Sequence, residues 1–97
     1  MSHHFSNVLD ERTIFITGGT GSFGHQVLNE LLNYNPKQII IFSRDEDKQH
    51  KMRLEYRKEY ETGRLRFIIG DVRDYRRLME VMKNVEGMVH ISNLGSK

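Results

Sequence analysis

The stretch Thr17-Gly18-Gly19-Thr20-Gly21-Ser22-Phe23-Gly24 holds four of the chain's eight glycines, and its reading decides the fold. Before it stands Ile14-Phe15-Ile16, an unbroken apolar run of the kind carried by a strand buried on both faces. After it, Gly24, Val27, Leu28, Leu31 and Leu32 fall at i, i+3, i+4, i+7 and i+8, the spacing of one helix face. Glycines between a strand and a helix have distinct uses. Gly18 permits the tight turn, Gly21 lets backbone amides approach an anion with no Cβ in the way, and Gly24 lets the helix pack close to the strand. The unpaired amides of the helix start, with Thr20, Ser22 and Phe23 around them, then face a phosphate group. A P-loop also sets glycines between strand and helix, but it requires Lys followed by Ser or Thr where this chain has Phe23-Gly24-His25.

Outward from this loop the same alternation repeats. Strands are expected at Thr13 to Thr17, Gln38 to Phe42, Leu65 to Ile69 and Gly87 to Ile91, separated by stretches of helical period. The first helix follows Gly21 and is closed off by Pro36. The second is expected to start with Ser43 as cap and Glu46 completing a capping box, and to run to Glu61 before Gly63, with a thin apolar stripe of Met52, Tyr56 and Tyr60. The third begins near Asp74, which caps it, and presents Tyr75, Leu78, Met79 and Met82 on one face. The expected fold is α/β: a partial Rossmann fold of four parallel strands in the order 3-2-1-4 with three helices. Residues 1–11 read as a disordered lead and residues 12–97 as one dinucleotide-binding domain.

The nucleotide is chosen at the end of the second strand, ~20 residues past the last loop glycine, where an NAD site places an acidic residue on the ribose diol. Here the chain reads Ser43-Arg44-Asp45. Arg44 can face a 2′-phosphate and stack on adenine, with Ser43 as a second donor and Lys48 one helical turn on, which favours NADP over NAD. Asp45 is a candidate at the same corner and also a candidate helix cap. After the third strand, Asp71 of Gly70-Asp71-Val72-Arg73-Asp74 can accept the adenine amine while the Val72 amide donates to the ring.

Composition limits the alternatives. The chain has 97 residues, 37% hydrophobic and 29% charged, which suits one small domain. With no cysteine there is neither a disulfide nor a Cys-ligated metal site. No apolar run reaches membrane-spanning length and no signal-peptide pattern opens the chain, so a soluble, cytoplasmic protein is expected. The net charge is +2, but Lys48, Lys51, Arg53, Arg57 and Lys58 are interleaved with acidic residues, which argues against nucleic acid as a partner.

Three segments together resemble a known family: Thr17 to Gly24, Phe42-Ser43-Arg44-Asp45-Glu46 with Lys48-Gln49, and Gly70 to Asp74. They are similar to the N-terminal region of the extended short-chain dehydrogenase/reductases, and among these they most resemble NADP-dependent UDP-N-acetylglucosamine 4,6-dehydratases of polysaccharide biosynthesis. The likeness covers about Arg12 to His90. It implies oxidation of a sugar at C4 by NADP, loss of water across C5 and C6, and return of the hydride to C6. Two departures stand out. His90 is followed by Ile91-Ser92-Asn93-Leu94 where the family has small residues, and none of Tyr34, Tyr56, Tyr60 or Tyr75 has a lysine four residues on, so the family's Tyr-x-x-x-Lys base is missing. The expectation is a truncated cofactor-binding region, inactive alone, with a fourth strand whose open edge invites self-association or a partner chain. A split enzyme completed by that partner and a nonenzymatic NADP-binding module are the alternatives.

Overall fold

β-Branched apolar runs that cannot place alternate side chains in water form the centre of the protein. In the computed structural model, which describes residues 10–18, 20–83, 85 and 87–90, two such runs are β1 (Thr13–Thr17) and β2 (Gln38–Ser43), flanked by β3 (Leu65–Ile69) and β4 (Gly87–His90). They make one parallel sheet in the order β3-β2-β1-β4. Register is set by Phe15 opposite Ile40 and Met88, and by Ile41 opposite Phe67. Ile91, placed in the last strand by the sequence, lies outside the described residues, as do residues 1–9 of the expected lead. Asp10 and Glu11 of that lead belong to the fold, because they form a turn in which the Glu11 amide donates to the Asn35 carbonyl at 2.8 Å.

Alternation along the strands divides the core in two. Ile14, Ile16, Ile39, Ile41 and Leu65 face α1 (Ser22–Leu32) and α2 (Glu46–Glu55), meeting Leu28, Leu31 and Met52. Phe15, Ile40 and Phe42 face the other way, toward Leu78, Val81 and Met82 of α4 (Tyr75–Val81) and its last turn. The Phe15 and Phe42 rings lie 5.5 Å apart there, a packed aromatic pair.

Three expectations are corrected. The second helix is two helices, α2 and the short α3 (Arg57–Glu61), because Tyr56 leaves helical geometry at φ −109°, ψ 43°, while its hydroxyl donates to Asn29 Oδ1 on α1 at 2.7 Å. Four helices therefore occur among the described residues, not three. The cap of α2 is Asp45 and not Ser43: Asp45 Oδ1 accepts from the Lys48 amide at 3.0 Å, while Ser43 is the last residue of β2. On α4 and its last turn the partly buried face is Leu78, Val81 and Met82, leaving Tyr75 71% and Met79 56% exposed. The helix is turned so that Val81, three residues past Leu78, takes the place expected for Met79.

Candidate functional site

The C-terminal ends of β1, β2 and β3 open onto one cleft of about 700 Å³, within the range of small-molecule sites. Its floor continues the sheet past the strands. The Gly18 amide donates to the Phe42 carbonyl at 3.0 Å and the Gly70 amide to the Ser43 carbonyl at 2.9 Å, so the loops after β1 and β3 are tied to β2. Gly18 has φ +67°, the left-handed conformation that glycine adopts without steric cost. Gly70 is required for a different reason, since a Cβ built on it overlaps the Phe42 ring.

On one side of the cleft stands the start of α1. Gly21 is its N-cap, without a side-chain capping bond and without an acidic residue in the first turn. The first amides of the helix thus keep the free donors and positive dipole end that attract an anion. A Cβ on Gly21 would meet no atom within 4 Å, which leaves open approach above these amides. His25, one turn on, holds this corner to α2: Nδ1 lies 2.8 Å from the Gly21 carbonyl and Nε2 lies 2.9 Å from Glu55 Oε1. The Gly21 carbonyl is the largest influence raising the His25 pKa above 6.5; burial opposes it and Glu55 adds to it.

The opposite side is made of charged side chains. Arg44 is exposed and reaches Asp71 Oδ2 with Nη1 at 3.6 Å, and Lys48 Nζ lies 4.0 Å from Asp45 Oδ2. Arg73 holds Asp71 more tightly: its amide donates to Oδ1 at 2.9 Å, Nη2 to Oδ2 at 2.8 Å, and Nε lies within 3.2 Å of both oxygens. The Arg73 side chain and then its amide hold the Asp71 carboxyl at a pKa of about 2, against an ordinary 3.8, with the Arg44 charge adding to the effect.

Of the residues read from the sequence, Gly18, Thr20, Ser43, Arg44, Asp45, Lys48, Asp71 and Val72 line this cleft together. Gly21 and Ser22 line a second depression of about 480 Å³, which has Thr20 and Lys48 in common with the cleft. Phe23 lines neither of these and is 62% exposed, with its backbone amide in the first turn of α1; Gly24 is buried on the inner face of α1. The cleft also takes in Thr17, Phe42, Gly70 and Arg73, which the sequence reading did not select. Gly70 and Arg73 stand in the same run as Asp71, and a glycine directly after a strand was their available signal.

The chain is 44% identical over 84 residues to a UDP-N-acetylglucosamine 4,6-dehydratase (inverting) of Campylobacter jejuni, covering 86% of this chain and 24% of that protein. It is 43% identical over 88 residues to a UDP-glucose 4-epimerase of Rickettsia prowazekii, covering 87% of this chain and 25% of that protein. The X-ray structure of Pen from Bacillus thuringiensis superposes with a TM-score of 0.80 at 31% identity, over 90% of this chain and 26% of that one. An epimerase structure from Methanothermobacter thermautotrophicus shares the fold at a TM-score of 0.69 and 22% identity. The chain spans about a quarter of the length of the curated relatives it matches. The model of the polysaccharide biosynthesis protein family matches residues 14–94, and the chain belongs to that family.

Proposed function

We propose that this chain is the NADP-binding portion of a nucleotide-sugar enzyme resembling the UDP-N-acetylglucosamine 4,6-dehydratases. The observation that carries the reading is an uncapped glycine-bounded helix start beside the cleft that the Arg44 and Lys48 cations line at the end of β2. The open space above Gly21 fits a pyrophosphate, and Arg44, Lys48 and the Ser43 hydroxyl fit a 2′-phosphate, which a free diol would not need. Asp71 and the Val72 amide sit where an adenine edge would lie. NADP, when bound, supplies the hydride chemistry at a sugar carbon. The residues described here bind and orient it.

Among the described residues of the cleft lining there is no tyrosine or histidine, and we assign this chain binding and no turnover by itself. In this reading the β4 edge is where further strands, from the same or a second chain, extend the sheet. A 4-epimerase-like enzyme is the second reading, favoured by the 43% identity to the Rickettsia protein. The residues described here serve both reactions alike.

Calorimetric titration with NADP and NAD tests the binding claim. Arg44→Ala should weaken NADP about tenfold, the worth of one charge-assisted hydrogen bond, and leave NAD nearly unchanged. A folded chain that binds neither nucleotide would refute the proposal, and turnover of UDP-N-acetylglucosamine by this chain alone would refute its restriction to binding.

A further inference from the structure

Behind the charged side of the cleft lies a polar residue that the binding site described above does not use. Gln49 on α2 is fully buried. Its amide nitrogen donates one hydrogen to the Ile68 carbonyl at 2.9 Å and shares the other between Ser43 Oγ at 3.1 Å and the Ser43 carbonyl at 3.3 Å, while its own Oε1 is buried without a partner among the described residues. The orientation of the amide follows from these neighbours. Turning it over would set Oε1 against two carbonyl oxygens that have no hydrogen to give. The nitrogen therefore faces Ser43, and the carbonyl is left orphaned in the core.

This arrangement determines what the Ser43 hydroxyl can do. One of its lone pairs accepts from Gln49, and the nearby carbonyls of Ser43 and Ile68 already accept from the same amide. The hydroxyl hydrogen is thereby left for the cleft, which Ser43 lines beside Arg44 and Lys48. We propose that Gln49 is a positioning residue that fixes Ser43 as a hydrogen-bond donor into the cleft, and through it favours a nucleotide with a phosphate on the adenosine ribose over one with a free diol. The inference rests on the NADP reading above and adds a selectivity device to it. Gln49 touches no ligand in this account and acts only through Ser43.

The test is a double-mutant cycle in the full chain with Gln49→Met, Ser43→Ala and the pair, titrated with NADP, NAD and 2′,5′-ADP. Each single change should lower NADP and 2′,5′-ADP affinity about five- to tenfold, leave NAD within about twofold, and show no further loss when combined. A Gln49→Met change that weakens NADP and NAD equally, or that adds its full effect on top of Ser43→Ala, would make Gln49 a structural staple only and overturn the proposal. Should Gln49→Met fail to fold by circular dichroism, Gln49→Asn takes its place, since it keeps the amide but withdraws it by one methylene. An NADP-to-NAD ratio unmoved by Ser43→Ala overturns the proposal under either variant. Failure of the unmutated chain to bind either nucleotide overturns the NADP reading itself, a result distinct from binding with unmoved selectivity.

Discussion

The two sides of the cleft are built from opposite materials. On the α1 side the surface offered to a ligand is backbone: Gly18, Gly21 and the first amides of the helix, whose positions are set by β1 and by helical geometry. On the β2 and β3 side it is side chain: Arg44, Asp45, Lys48, Asp71 and Arg73, exposed or partly exposed and paired with one another. Backbone donors cannot move without moving the fold, and they treat any phosphate alike. Exposed charged side chains exchange partners at little cost, each surface ion pair being worth about 0–1 kcal/mol, so this side can discriminate between ligands and can be altered without unfolding the protein. In the proposed binding of a dinucleotide, anchoring and selection are thereby separated in space.

The sharpest test of that separation is to damage the backbone side. Gly18→Val forces a β-branched residue to φ +67° and should cost about 1–3 kcal/mol of stability, read from urea denaturation, along with nucleotide binding. Gly21→Ala goes further in separating the two effects. With φ −89° and no neighbour within 4 Å, the added methyl should cost only the N-cap preference for glycine over alanine, about 0.5–1 kcal/mol, yet it should weaken NADP and NAD alike by about tenfold or more through its intrusion on the anion's approach. A Gly21→Ala chain that keeps its affinity would show that the helix start is not the anchor.

On the charged side the effects are smaller and depend on pH. Because the folded-state pKa of Asp71 is about 2, below the ordinary 3.8, its pairing stabilises the fold above pH 3.8. That contribution fades as pH falls toward about 2. Arg73→Ala should flatten this part of the acid-unfolding profile; an unchanged profile would mean that the pair contributes nothing in solution. The smallest expected effect belongs to His25, which joins the two sides. With its pKa raised above 6.5, its contribution is complete below pH 6.5 and is lost as pH rises through the raised value. His25→Gln should remove that slope, measured by denaturation midpoints across the interval, and a slope that persists would assign it to another group.

The same division governs how much could be read from the sequence. Ile14-Phe15-Ile16 and Ile39-Ile40-Ile41 announce buried parallel strands because a run without polar alternation has no solvent face. The glycine loop is equally legible, since positive φ and an uncapped helix start are local requirements. What resisted reading is tertiary. No glycine or proline marks the break at Tyr56, whose departure from helical geometry accompanies a hydroxyl bond to Asn29 on another helix. Ser43 carries the composition of a cap, but its carbonyl is engaged by Gly70 and its hydroxyl by Gln49, which hold it in the strand and pass capping to Asp45. Arg73 entered the site through its grip on Asp71 across a turn, a pairing that spacing alone does not specify.

The outer strand β3 has a consequence for behaviour at high concentration. A sheet edge is a template for strand addition by another copy, and β3 carries Phe67, Ile68 and Ile69. It also carries the exposed Arg66, and the Arg53 guanidinium lies 5.8 Å from the centre of the Phe67 ring and 6.0 Å from that of Tyr60. An incoming strand would have to bring its own backbone alongside the Arg66 charge. Charge carried on the strand itself opposes strand addition there.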